Sequence, residues 1–235
     1  MEGSKRRATG EDKKNNNISK IVPVADVGVK QTKRVFQLRN TLDICHTIVI
    51  FSVHFLCLSA PFTFSWGVLH LALVLYVVTG FFGITLSYHR NLAHKSFKLP
   101  KWLEYTFAYI GLHALQGDPI WWVSTHRYHH KFTDTVKDPH SPIAGFGYSH
   151  IIWLFNTQNI IEKCGRHDNV QDLKMQAYYI FLRRTHIVHP IALGVLLYAL
   201  GGFPYIVWGM VRNLNYGTES YLFLVLPGPK QQTND

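Results

Sequence analysis

Polar and apolar positions divide this chain sharply. Between Asp43 and Arg90 no Asp, Glu, Lys or Arg occurs, so 46 residues from Ile44 to His89 run without a formal charge. A membrane-crossing helix needs about 20 predominantly apolar residues. The run therefore predicts two, roughly Leu42 to Pro61 and Trp66 to Ser87, joined as a hairpin near Pro61. A third uncharged run, Thr185 to Val211, contains Val188, Ile191, Leu193, Val195, Leu196 and Leu197 and predicts a spanning helix that ends near Trp208. The expected fold is an all-α integral membrane protein with about three transmembrane helices. A large soluble helical core is the competing reading, but soluble helices seldom run so long without a charge.

Elsewhere the pattern is shorter. Residues 1–40 are polar, with Lys/Arg clusters and Asn15-Asn16-Asn17, and predict a basic arm that is disordered or lies on a surface. Leu103 to Leu115 is apolar but short for a span, so a re-entrant or membrane-lying segment is expected. From Asp168 to Arg184, the positions of Leu173, Met175, Tyr178 and Phe181 predict an amphipathic cytosolic helix. The chain thus divides into an arm (1–40), a helical membrane domain (41–210) and a polar, divergent tail (211–235). His46, His54 and His70 lie in the hairpin without a partner at helical spacing, and are expected to be solitary interhelical hydrogen-bonders.

Charge adds a topology. The net charge of +10 is uneven: residues 1–40 carry ten Lys/Arg against four Asp/Glu, and Arg90 to Arg184 carry twelve against seven. The connection from Ala60 to Ser65 carries none. The positive-inside rule places the N-terminus and the Arg90–Arg184 loop together on the cytosolic side. Anionic headgroups explain the basic excess better than nucleic acid, for which no motif is present. Residues 1–40 show no signal-peptide core, and are too acidic and serine-poor for a good transit peptide. The endoplasmic reticulum is the expected location and a plastid membrane the alternative. Cys45, Cys57 and Cys164 lack paired spacing and read as reduced and structural.

Candidate chemistry sits in two histidine clusters on that loop. His126, His129 and His130 stand at i, i+3 and i+4, sharing one helical face. His89 and His94 close the long apolar run. Imidazole is the commonest protein metal ligand. On an ideal helix, residues five apart diverge by about 140°, so His89 and His94 need not bind one ion; two metals bridging the clusters fit that spacing better. Zinc-finger cysteine spacing, HExxH and the ExxH pairs of soluble di-iron bundles are all missing. Ligand type alone leaves iron, copper and zinc open.

The segments HRNLAH (His89 to His94), HRYHH (His126 to His130) and DPHSP (Asp138 to Pro142) together resemble the membrane fatty acid desaturase family. The plant acyl-lipid Δ9-type enzymes, relatives of the stearoyl-CoA desaturases, are the nearest match, over about Val35 to Met210. The resemblance implies a four-span helical fold whose cytosolic helical cap carries a histidine-rich di-iron site. It implies Fe2+ ligands at His89, His94, His126, His129 and His130, and an acyl tunnel whose kink is lined by Gln116 and Trp122. Asp138 and His140 would brace the cap; His113, His150, His167, His186 and His189 would be structural or supporting. The implied reaction removes two hydrogens from a methylene pair of an acyl-lipid or acyl-CoA, using O2, to leave a cis double bond. Acid–base side chains cannot remove such hydrogens, so the cofactor supplies the driving force, while the protein positions a bent chain. Two electrons per turnover would come from a separate donor, cytochrome b5 or, in a plastid, ferredoxin.

Family members carry a fourth span and a third box of HXXHH type beyond the matched region. Here the resemblance stops near Met210, and five of nine histidine ligands are present. Since ligand number and geometry set a metal site, the expectation is weak iron binding and no desaturation by this chain alone. Two other readings are a non-catalytic truncated partner of a full-length desaturase and a histidine-box fatty acid hydroxylase. The second would yield an alcohol in place of an alkene.

Overall fold

The computed structural model describes residues 41–211. The predicted arm (1–40) and residues 212–235 of the predicted tail lie outside them, as do the side chains of Leu42, Cys45, His46 and Val211.

Regular structure among the described residues is helical throughout: α1 (Thr41–Cys57), α2 (Trp66–Ala93), α3 (Lys101–Leu112), α4 (Pro119–Phe132), α5 (Phe146–His150), α6 (Thr157–Cys164), α7 (Gln171–Lys174), α8 (Ala177–Thr185) and α9 (Val188–Ile206). Ser65 starts α2 by accepting a hydrogen bond from the Val68 amide at 3.3 Å, the usual service of a serine at this position. From Tyr76 to Ala93 the helix continues with wider, π-type turns.

Trp66–Ala93 and Val188–Met210 are long and apolar enough to cross a membrane, whereas the apolar part of α1, Thr47–Cys57, is shorter. Only 28% and 17% of the two long stretches is buried among the described residues. Their outward faces present large apolar side chains such as Leu73, Val77, Phe81, Ile191 and Val195. Contiguous apolar surface on that scale marks a lipid- or protein-facing region.

The third uncharged run differs from its expected form. It is broken at Gly202 (φ 66°, ψ −154°), and the chain reverses there instead of ending a single helix near Trp208. Gly202 adopts a conformation that side chains disfavour, and Pro204 has no amide hydrogen to continue the ladder. The returning arm packs against the first: a side chain on Gly194 would meet Met210 Sδ at 2.7 Å.

α2 and α4 carry the site, with α3 between them in the chain. α2 and α3 cross so closely that a Cβ on Gly83 would lie 2.6 Å from the Gly111 Cα. Glycines at the crossing permit this backbone approach. On the opposite side of α3's end, Gly117 (φ 90°) and Asp118 break the chain before α4, as the Gly-Asp-Pro sequence predicts. Asp118 Oδ1 accepts hydrogen bonds from the Ile120 and Trp121 amides at 2.9 and 3.0 Å, with Pro119 in the first turn. The main core lies between α2, α3, α4 and α8 and includes Tyr88, Ala108, Leu112, Trp122, Tyr179 and Leu182.

The helix expected over Asp168 to Arg184 is instead divided. A break at Met175–Gln176 separates α7 from α8 and shifts the buried face. Leu173 is buried as predicted and Tyr178 is half-buried, but Met175 and Phe181 are exposed, and Tyr179 and Leu182 take the core positions. His54 and His70 also depart from expectation. Each ring lies exposed and bonds through Nδ1 to the carbonyl four residues back in its own helix, Ile50 and Trp66, so neither bridges helices. Cys164 is a buried free thiol.

Candidate metal centre

Four of the five histidines singled out in the sequence converge. His89 and His94 from the end of α2 and His126 and His130 from α4 place their ligand nitrogens within 4.8 Å of one another. The Nε2 atoms of His94 and His89 are 3.1 Å apart, those of His94 and His126 3.2 Å, and those of His130 and His126 2.9 Å. Nitrogen ligands about 2.0–2.1 Å from a tetrahedral ion stand roughly 3.3 Å from each other. The four imidazoles therefore fit one transition-metal ion with little movement.

The winding of α2 corrects the expectation that His89 and His94 diverge. The His94 amide donates to the His89 carbonyl at 3.0 Å, an i→i+5 bond. Such π-type turns recur at functional sites, and here a five-residue step nearly closes one turn. The two rings meet edge to face with centroids 4.5 Å apart. The π-type winding thus brings both histidines to the same point.

His129 is the exception. Its Nδ1–H donates to Asp138 Oδ1 at 3.0 Å, and its ring stacks on His140 at 4.2 Å. His129, Asp138 and His140 thus form a second group of possible ligands. Asp138 is fully buried and also accepts from the His140 amide at 3.1 Å. A carboxylate on Nδ1 fixes the imidazole tautomer and leaves Nε2 as the unprotonated, metal-binding nitrogen.

Burial, reinforced by repulsion from neighbouring histidines, first among them His130, holds the His126 imidazole neutral well below its ordinary range. Burial and the nearby His94 and His129 push His130 in the same direction. Neutral imidazole is the form that ligates a metal. For Asp138, burial pushes the carboxyl up, but the His129 hydrogen bond, the nearby His129 and His140 rings and the His140 amide together outweigh it and leave the group below its usual range.

Gln116 and Trp122 also come together: Trp122 Nε1–H donates to Gln116 Oε1 at 3.0 Å. The Trp122 indole stacks on His126 with centroids 4.8 Å apart and meets Tyr88 edge-on at 5.8 Å. A small cavity beside His126 is lined by Trp121, Trp122, Thr125, His126, His140 and Trp153. Among the remaining histidines, His113 bonds to the Tyr109 carbonyl and His189 to Thr185, away from the cluster.

Sequence reasoning missed Tyr88 and Trp153. Tyr88, next to His89, is completely buried, donates its hydroxyl to the Ala108 carbonyl at 3.2 Å and fills the notch left by Gly111. Its only signal was adjacency to a box histidine. Trp153 lies 13 residues past His140 and announces itself by no spacing at all.

Helices that bring four imidazoles to one point, at the end of a long apolar segment, define a histidine-rich candidate metal site on membrane-type helices. The chain belongs to the fatty acid desaturase family, whose model matches residues 64–227. It is 61% identical over 198 residues to acyl-CoA 5-desaturase AL21 of Anemone leveillei, covering 83% of this chain and 62% of that protein. It is 55% identical over 199 residues to delta-9 acyl-lipid desaturase 1 of Arabidopsis thaliana (85% and 65%). The same identity, over 192 residues, relates it to the chloroplastic palmitoyl-monogalactosyldiacylglycerol delta-7 desaturase of that plant (80% and 52%). The chain spans about three fifths of the length of most of these relatives. The matched stretch runs past Met210, where the motif-based resemblance stopped.

Proposed function

We propose that this chain is the histidine-box portion of an O2-dependent acyl desaturase, inserting a cis double bond into a saturated acyl chain carried by CoA or a glycerolipid. The observation that carries the reading is the four-imidazole cluster of His89, His94, His126 and His130 in a chain whose relatives are named as desaturases of both carrier types. Iron is the metal assigned, with His129 as a further ligand once its Nδ1 is held by Asp138. Bound iron supplies the oxidising power that hydrogen removal from an unactivated methylene demands.

The chain's own residues supply position. Trp122, held at its indole N–H by Gln116 and stacked on His126, forms the wall against which a bent acyl chain lies. Burial by Trp121, Trp122 and Trp153 keeps bulk water from the His126 side of the cluster. Proximity is then the main protein contribution.

The apolar helix Trp66–Ala93 crosses a membrane, with the histidine cluster on its cytosolic side, in the endoplasmic reticulum. Electrons come from a separate donor, cytochrome b5 in that compartment. Expression in a yeast strain lacking its own acyl desaturase, with mass spectrometry of total acyl groups, tests the reading. New monoenes that disappear in a His126→Ala variant are expected from a chimera completed with the C-terminal part of a matched relative, and none from the 235 residues alone. Hydroxylated acyl groups, or no new product from a folded, iron-loaded chimera, would contradict it.

A further inference from the structure

Arg127 lies between the box histidines of α4, yet points away from their cluster. Its guanidinium makes five hydrogen bonds. Nε donates to the Ala93 carbonyl at 3.3 Å and Nη2 to the Leu92 carbonyl at 2.7 Å. Nη1 donates to the Asn169 carbonyl at 2.7 Å, and Nη1 and Nη2 together grip both Asp172 oxygens at 2.9 Å. That matches the full donor set of an arginine. Asp172 is also bridged by Lys95 at 2.9 Å, and segment 168–172 is fastened to α4 by the reciprocal Ser124–Asn169 pair at 2.6 and 2.9 Å.

Leu92 and Ala93 are the last residues of α2, and their carbonyls belong to the unsatisfied set at a helix C-terminus. The chain then leaves through His94 and the strained Lys95 (φ 54°). His94 thus sits on a turn that no regular ladder continues. A guanidinium there satisfies two carbonyls and complements the negative end of the helix. It also ties that turn to α4, the helix bearing His126 and His130.

We propose that Arg127, oriented from behind by Asp172, is a positioning residue for the metal centre: by holding the Leu92 and Ala93 carbonyls it sets where His94 stands relative to His126 and His130. This rests on the proposed iron-binding role of the cluster. Lysine cannot replace it, because a point charge does not reach two carbonyls and both oxygens of a carboxylate at once.

The test uses the whole chain purified in detergent, with ferrous iron as probe. Iron affinity is measured by competition with a chromophoric chelator on the folded, monodisperse fraction of wild type, Arg127→Lys, Arg127→Gln and Asp172→Asn. Melting temperature is recorded in parallel. Both Arg127 variants are expected to bind iron about 10- to 100-fold more weakly, the range found when groups supporting metal ligands are removed. Asp172→Asn, which keeps the carbonyl contacts, should lose affinity to a smaller extent. Lowered melting temperature with wild-type iron affinity in the Arg127 variants would mean a merely structural role and overturns the proposal. So does an equal loss in Asp172→Asn and Arg127→Lys, since the carbonyl contacts would then not matter. If the Arg127 variants do not fold, Asp172→Asn decides alone, and wild-type affinity there overturns the clamp. A wild-type chain that binds no ferrous iron overturns the metal reading itself, a result distinct from all of these.

Discussion

Replacing Asp138 by Asn isolates the electrostatic part of the His129 arrangement. The residue is fully buried; its Oδ1 accepts the His129 Nδ1–H at 3.0 Å and the His140 amide at 3.1 Å. An asparagine oxygen can still accept both bonds, but without charge. Hydrogen bonds to an ionised group are about twice as strong as neutral ones, so roughly 1 kcal/mol is lost at His129. The new amide N–H2 occupies the place of Oδ2, a buried atom with no hydrogen-bond partner among the described residues. An unsatisfied buried donor costs a further 1–3 kcal/mol of stability. The expected result is a lower melting temperature together with iron affinity weakened about tenfold, the usual consequence of removing a carboxylate behind a ligating imidazole. Chelator competition on the folded fraction measures it. Lower stability with unchanged affinity would refute the reasoning, because Asp138 would then brace the cap without acting on the metal through His129.

Three further outcomes follow from the geometry. Gly83→Ala places a Cβ 2.6 Å from backbone of α3, which cannot yield without separating the helices; a loss of about 1–3 kcal/mol is expected, and an unchanged melting temperature contradicts the close crossing. Trp122→Phe removes the donor to Gln116 but keeps an aromatic surface near His126; iron binding should persist while the double-bond position or chain-length preference of the products shifts, read by gas chromatography. The metal-free chain should lose stability as pH falls below about 6.5. His126 and His130 stay neutral in the fold below the pH at which the unfolded chain protonates them, so the unfolded state binds more protons. The slope is about 1.4 kcal/mol per pH unit for buried His126, and exposed His130 adds less because solvent screens it. Thermal unfolding from pH 7 to 5 reads this, and a flat profile contradicts a neutral, buried His126.

Much of this was legible in the sequence for reasons that remain visible in the structure. The break at Gly117-Asp118-Pro119 is written in local chemistry: a glycine at positive φ, a capping aspartate and a proline in the first turn. The four clustered histidines were found because ligands must stand close together, and residue type with short spacing records that. What escaped depends on non-local or non-ideal geometry. The placement of His94 beside His89 follows from π-type winding, which an ideal 3.6-residue period cannot express. His129 turns from the cluster because Asp138, nine residues on, claims its Nδ1. The reversal at Gly202 was hidden inside an uninterrupted apolar run, although Gly202 and Pro204 marked it. The register of α8 depended on one extended residue, Gln176 (φ −100°, ψ 117°), that charge alternation does not reveal.

The most direct test of the central claim is the X-ray absorption spectrum of the chain loaded with one equivalent of ferrous iron. The account predicts a nitrogen-dominated shell with the outer-shell scattering of imidazole rings, diminished when His94 is replaced by Ala. An oxygen-only shell, or a spectrum unaffected by that substitution, would contradict it.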